Sequence, residues 1–368
     1  MMTENIFTEA LRKRRSLDLR CYNTLIVADP GEAGNFVMKT DIIDVLRNTN
    51  NDVVVIDAFG DYGPELKAYG AKRISLLMGE HALVAPLYQS TFIPNDSEDE
   101  VFRAIDTLLA MMKSMELLPS TLHTSSATAA IRNAVNRALE RERRTMADIL
   151  AELAKEEDSQ TKLFVHQISR LGCVSENTNI DFDQRCIILH MDSIDDRLKA
   201  AIVISVLSHL LPAIHEKFRN TDKFTWVYIP HLDALLKKDS DEFIISFVKR
   251  LRRHAGICVG SVEKGSFGSR TSQAMYNLCS CIYVLNPSRK AHEWLDVLDI
   301  APESVDCMDN MAYTLGEEIG FIPPRDIRED IPEITPEEGT ALLSSGQNLN
   351  FLERAVYNIL FKRRKRAD

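Results

Sequence analysis

The residues best placed to do chemistry form a turn-rich stretch, Ala28-Asp29-Pro30-Gly31-Glu32-Ala33-Gly34-Asn35, that follows the apolar run Asn23 to Val27 (NTLIV). Between a buried strand and a helix, a loop of this kind can hold phosphate with backbone N–H groups and a helix N-terminus. That chemistry asks for G-x-x-x-x-G-K-[ST]. The glycines let the backbone close on the phosphates, the lysine neutralises their oxygens, and the hydroxyl holds Mg²⁺. Here Ala28 and Ala33 stand at the glycines, Gly34 at the lysine and Asn35 at the hydroxyl. Asp29 and Glu32 put carboxylates where phosphate would lie, and in a partly desolvated loop each repels it by more than about 1 kcal/mol. Lys39-Thr40 supplies the missing pair of types, but inside the expected helix and too late to reach.

A second place fails independently. Phosphate-transfer sites of this kind carry an Asp and a Glu at the end of a later buried strand, to organise Mg²⁺ and the attacking water. The run Phe224 to Ile229 (FTWVYI) is such a strand, yet it ends in Pro230-His231, with Asp233 further on. Substitutes can be named: Lys39, Lys264 or Arg270 for the lysine, Asp57 or Asp233 for the acid. The segment Gly265 to Arg270 (GSFGSR) reads either as an anion-binding loop or as a plain surface loop. Nine histidines without H-E-x-x-H spacing and seven scattered cysteines without a C-x-x-C pair give no metal site. Cys279 and Cys281, two apart in a strand-like run, read as thiols on one buried face.

Elements to position these residues are legible from periodicity. Asp52 to Asp57 (DVVVID) is a continuous β-branched run of the kind buried on both faces of a parallel sheet. With NTLIV before it and helical spacing from Phe36 to Leu46 between, it makes a βαβ unit. The character changes from Ser97 to Arg170, where Glu100 to Met115, Ala127 to Arg143 and Met146 to Leu153 are amphipathic. Strand patterns return at Arg185 to His190, Phe224 to Ile229, Ile257 to Ser261 and Cys279 to Leu285. Helices are expected between and after them at Asp196 to Phe218, Asp239 to His254 and Arg289 to Leu298. The alternation predicts an α/β fold with a mostly parallel central sheet and an all-helical insertion. The expected division is an arm over 1–22, a core over 23–94 and 176–325, the insertion over 95–175, and a tail over 326–368. That tail is a proline- and acid-rich linker, an amphipathic helix at Asn348 to Phe361 and a basic end.

Composition narrows the class. Of 368 residues, 45% are hydrophobic and 27% charged, enough apolar material for a large core. A net charge of −10 argues against a surface that coats nucleic acid. Basic residues cluster at Arg12 to Arg15, Lys249 to Arg253 and Lys362 to Arg366, and a solvated face or tail accounts for the first and last. There is no signal-peptide pattern, and no membrane span is expected.

Six segments in order resemble the C-terminal motor domain of the VirB-four/TraC-like type IV secretion (conjugation) ATPases. That family lies in the HerA–FtsK branch of RecA-like P-loop motors. NTLIVADPGEAGNF (Asn23 to Phe36) is similar to the family's phosphate-loop stretch, keeping Pro30, Gly31 and Phe36. VVVIDAFGDY (Val53 to Tyr62) is similar to "IIIDPEGEY", with Asp57, Asp61 and Tyr62 in place. RTMADILAEL (Arg144 to Leu153) is similar to "PTLxDLxxxL", and NTNIDFDQRCIIL (Asn177 to Leu189) to "TNxDxxxRxIxF". TWVYIPHLDALL (Thr225 to Leu236) is similar to "TWIYIDEFHLLL", with Pro230 and His231 in place of the acids. FVKRLRRHAG (Phe247 to Gly256) is similar to "FxKRARKYGG", and the family's following "TQN" is here Val262-Glu263-Lys264. The match spans roughly 20 to 325. It implies a RecA-like fold and an ATP-hydrolysing ancestry, with both hydrolytic motifs degenerate.

The expectation is therefore a catalytically silent subunit, a scaffold or regulator in a conjugation or secretion assembly. No cofactor is expected; ATP and Mg²⁺ enter only if an unusual site is active. Partners implied by the resemblance are a second copy, an active homologous ATPase and other secretion components. The family's membrane-docking N-terminal domain has no counterpart here, so a cytoplasmic place, peripheral to the membrane through partners, is expected. Arg250, Arg252 and Arg253 match the region whose arginines act in trans on a neighbour's nucleotide; a solvated helix face is the plain alternative. An active DNA-translocating motor and a DNA-binding adaptor using the basic tail are the competing functions.

Overall fold

The computed structural model describes residues 23–28, 32–67, 69–76, 97–118, 124–141, 146–170, 180, 182–191, 194–235, 241–263, 270–284, 311–315 and 318–322. Strand β1 (Thr24–Ala28) leads into helix α1 (Glu32–Asn48), followed by β2 (Asp52–Asp57), a one-turn helix α2 (Pro64–Lys67) and β3 (Lys72–Ser75). Four helices come next: α3 (Ser97–Ser114), α4 (Thr124–Glu140), α5 (Met146–Leu153) and α6 (Ser159–Ser169). Then follow β4 (Cys186–His190), α7 (Asp196–Thr221), β5 (Thr225–Ile229), α8 (Leu232–Leu235) and α9 (Asp241–Leu251). A 3₁₀ turn (Arg252–His254) closes α9. The last described elements are β6 (Gly256–Glu263), α10 (Arg270–Leu278), β7 (Cys281–Val284), β8 (Met311–Leu315) and β9 (Glu318–Ile322).

The strands form one sheet in the order β3-β4-β2-β5-β6-β1-β7-β8-β9. The first seven in that order run parallel, and β8 and β9 extend the β7 edge as an antiparallel hairpin. Because side chains alternate across a strand, each parallel strand feeds two cores. Leu25, Val27, Val54 and Ile56 join the apolar cluster shared with α3 to α7, α9 and α10. Ile26, Ala28, Val53 and Val55 join the cluster under α1, built on Val37, Met38, Ile42 and Val45. This double burial is why DVVVID contains no alternation.

The Leu198–Thr221 portion of helix α7 is, by length and composition, long and apolar enough to cross a membrane. Within the fold, 72% of its most apolar window is buried. It serves as the central core helix, packed along α3.

Several boundaries differ from the sequence expectation. Helix α1 begins at Glu32, four residues before the first periodic apolar position, so Gly34 and Asn35 sit in its first turn rather than in a loop. Cys279 precedes β7 instead of sharing its face with Cys281: its N–H donates to Tyr276 at the end of α10, and the strand starts only at Cys281. Strand β3, helix α10 and the β8–β9 hairpin were not anticipated. The expected arm over 1–22, the helix at Arg289 to Leu298 and everything after 322 lie outside the described residues.

Candidate functional site

In a parallel sheet of this kind, ligands bind beyond the carboxyl ends of the strands. There β1 ends at Ala28, β2 at Asp57 and β5 at Ile229, followed by Pro230 and His231. Asp29, Pro30 and Gly31 lie outside the described residues, as do the side chains of Glu32 and Ala33. Gly34 is described, and it is packed closely. A Cβ added there would come within 3.3 Å of the Ala28 Cβ. The backbone in the lysine position is thus drawn up against the end of β1.

Asn35, one residue on, is tied into a side-chain network. Its Nδ2 donates to Asp61 Oδ2 at 2.9 Å, and its Oδ1 accepts from the Tyr62 hydroxyl at 3.2 Å. Asp61 Oδ2 also lies 3.1 Å from Nε2 of His231. The positions aligned with the Mg²⁺-binding hydroxyl and with the acidic end of β5 are therefore bridged to each other through one carboxylate. Phe59 meets the His231 ring edge-on at 5.0 Å, and Lys199 of α7 stands 4.5 Å from the Phe59 ring centre.

Local geometry explains how these groups are held. Asp57, at the end of β2, accepts three backbone hydrogen bonds: from Gly60 and Asp61 to Oδ1 and from Tyr62 to Oδ2. The turn that carries Asp61 closes on this carboxylate, and Gly60 supplies the positive φ of 84° that it requires. Asp57, considered above as a substitute metal-organising acid, is engaged in shaping this turn. At the end of β5, His231 adopts a left-handed φ of 54°, an uncommon conformation for a residue with a Cβ. Its N–H is received by Ser261 Oγ at 3.1 Å. Nearby, Gly260 leaves room for Leu232, whose Cδ2 would lie 2.7 Å from an added Cβ.

Electrostatics follow the geometry. The hydrogen bond from His231 holds the Asp61 carboxyl below its usual range, helped by Asn35 and by the charges of His231 and Lys39 against the cost of burial. The same hydrogen bond raises His231, with the charges of Asp61, Asp233 and Glu263 adding to it while burial opposes. Both directions favour the charged pair, and the arrangement is not a catalytic triad. Ser261 touches the backbone N–H of His231 rather than its ring, so its hydroxyl is not poised for deprotonation by that imidazole.

The other nominated residues separate. Lys39 lies closer to the site than its spacing suggested: its ammonium stands 5.4 Å from the centre of the Tyr62 ring and its charge reaches Asp61. Asp233 Oδ2 faces the Glu263 N–H at 3.4 Å. Arg270 opens α10 rather than sitting in a loop, and Lys264 to Ser269 lie outside the described residues. Arg250 ends α9 and lines a cavity on the helical side of the sheet, while Arg252 and Arg253 are exposed on the 3₁₀ turn. All three precede the first residue of β6, at the sheet edge opposite the Asn35–Asp61–His231 bridge. Gly256 is four residues before Gly260, the partner of Ile229 at the end of β5, which is roughly 13 Å along the strand. These arginines are thus remote from this chain's own site.

Among the described residues, no group of three or more potential metal ligands comes together. Cys186, Cys258 and Cys281 are buried, and burial pushes the Cys186 thiol up to about 12, well away from thiolate chemistry at neutral pH. Asp61 and Tyr62 join the site although their residue types alone assign them no role in it. Their signal was the Asp57–Gly60 spacing of a carboxylate-capped turn.

No protein-family model matches the chain, and no curated protein matches its sequence. Solved structures do match. VirB4 of Thermoanaerobacter pseudethanolicus superposes with a TM-score of 0.68 at 15% identity, over 84% of this chain and 90% of that one. The bacterial conjugative coupling protein TrwBdeltaN70 follows with a TM-score of 0.53 at 10% identity, over 82% and 84% of the two chains. At these identities the shared property is the fold, that of a RecA-like P-loop NTPase.

Proposed function

We propose that this chain, built on the fold of VirB4, is a subunit of a type IV secretion or conjugation assembly that works without hydrolysing ATP. The observation that carries this reading is the bridge from Asn35 through Asp61 to His231. Side chains of the protein join the two places where a motor of this fold would hold Mg²⁺ and align water. Gly34 offers no cation to phosphate, and its close approach to Ala28 leaves little room for one. In this reading the RecA-like faces serve association, with a second copy or with an active homologous ATPase. The chain then sits at the cytoplasmic side of the membrane through such partners, as scaffold or regulator.

Thermal unfolding with and without ATP·Mg²⁺ tests it. A ligand present at a hundred times its dissociation constant stabilises a fold by about 2.7 kcal/mol, a shift of several degrees. The expected result is no shift and no phosphate release at millimolar ATP·Mg²⁺. A saturable shift would instead favour an unusual active site, with Lys39 as its nearest cation. Salt-dependent binding of duplex DNA would favour the adaptor reading.

A further inference from the structure

A cavity of about 270 Å³ lies between α3, α7 and α9, on the helical side of the sheet and apart from the Asn35–Asp61–His231 bridge. Its wall is divided by chemistry. Leu207 and Leu211 of α7 and Phe247 of α9 give it an apolar side. Arg103 and Lys113 of α3 and Arg250 of α9 bring three cations to it, against the carboxylates of Asp106 and Glu242. An apolar pocket with a few convergent polar groups is the usual form of a small-molecule site, and this volume suits a fragment-sized ligand.

One further feature favours an anion. His254, just beyond α9, is pushed down to about 4, first by burial and then by the charges of His215, Arg250, Arg103 and Arg253. Arg250 and Arg103 are also the arginines of the cavity wall, so the charges that act on His254 stand at the cavity too. Asp106, which is exposed, has its carboxyl raised by partial burial against the pull of Arg250 and Lys113.

The hydroxyls of the wall are ordered by the protein itself. Thr107 donates to the Arg103 carbonyl at 2.7 Å, so in its 2.9 Å contact with Ser208 the serine is the donor. Pro212, also in the wall, has no N–H for the Ser208 carbonyl one turn earlier, which leaves α7 without one rung of its ladder beside the cavity.

We propose that this cavity binds a small organic anion with an aliphatic body, its head held by Arg103 and Arg250 and its body against Leu207, Leu211 and Phe247. The site would join the helices between β3 and β4 to the core helices α7 and α9, and it is independent of whether nucleotide binds elsewhere.

Octanoate is the probe, added to the full chain, with octanol as its uncharged counterpart. Calorimetry should give saturable octanoate binding at least tenfold tighter than octanol, and weakened at least tenfold in Arg103→Gln and Arg250→Gln. Methyl resonances of Leu207 and Leu211 in the unaltered chain should shift on titration while those of Val53 and Val55 stay, a readout that needs no variant. Absence of octanoate binding, equal binding of octanol, unchanged binding in both arginine variants, or methyl shifts away from α7 would each overturn the proposal.

Discussion

The imidazole of His231 and the carboxylate of Asp61 meet at 3.1 Å across 170 residues of sequence, at the carboxyl ends of β5 and β2. Each moves the other's protonation in the direction that favours the charged pair.

The pH dependence of stability follows from those two directions. His231 is raised, so its contribution is full below the unfolded histidine value of about 6.5 and is lost as pH rises through its folded value. Asp61 is lowered, so its contribution is full above the unfolded value of about 3.9 and is lost as pH falls through its folded value. Asp233, Glu263 and Lys39 also face the pair, the two acids supporting charged His231 and the lysine supporting charged Asp61. The stability difference between the unaltered chain and His231→Gln should therefore be largest between about pH 4 and 6.5 and shrink above it. With Asp61 more than a third exposed, solvent screening holds that difference to roughly 1 kcal/mol. Chemical denaturation across pH measures it, and a difference that grows from pH 6.5 to 9 contradicts the assignment.

Asn35→Ala removes a donor to Asp61 and the acceptor of the Tyr62 hydroxyl, which belongs to a fully buried ring. The expected cost is about 1–3 kcal/mol. Part of it should disappear when the same change is made in Tyr62→Phe, which lacks the hydroxyl that Asn35 receives. A urea-denaturation double-mutant cycle gives the coupling, and additive single effects count against the contact.

Restoring the phosphate-loop residues alone should not restore nucleotide binding. Gly34→Lys with Asn35→Ser supplies cation and hydroxyl, but the added Cβ presses on Ala28 and His231 still occupies the end of β5. No thermal shift with ATP·Mg²⁺ is expected until Pro230→Asp and His231→Glu are added. A shift in the first variant would mean that the missing lysine is the whole difference.

Glu152 of α5 is almost wholly buried among Arg137 and Arg141 of the α4 side and Lys155. Its carboxyl is held below the usual range by Lys155 first, then by Arg137 and the Arg141 charge, against burial. Glu152→Gln should cost about 2 kcal/mol, the scale of a lost charge-assisted hydrogen bond, and loosen α4 from α5. Hydrogen exchange confined to those two helices would show it; a neutral effect would mean that the three half-exposed cations simply turn to solvent.

Much of the fold was readable because parallel strands buried on both faces leave unbroken apolar runs. Asp52–Asp57 and Met146–Leu153 were placed to the residue for that reason and for clean amphipathic spacing. Strand β3 escaped notice because it is a short edge strand, with Lys72 and Arg73 exposed and Ile74 its one fully buried apolar side chain. Helix α10 escaped because Arg270–Leu278 is polar along most of its length and follows a glycine-rich stretch. At the site, the missing lysine and the Pro230-His231 strand end were legible as departures from a spacing rule. What replaces them was not. A contact between residues 35, 61 and 231 depends on how three strand ends converge, and no local periodicity records that.

Asp57 fixes more than a turn. Three amides of residues 60 to 62 end on its carboxylate, so the turn is held from within. Freeing any one of these amides would cost its bond to Asp57, so the turn resists reshaping even where the strand ends around it move.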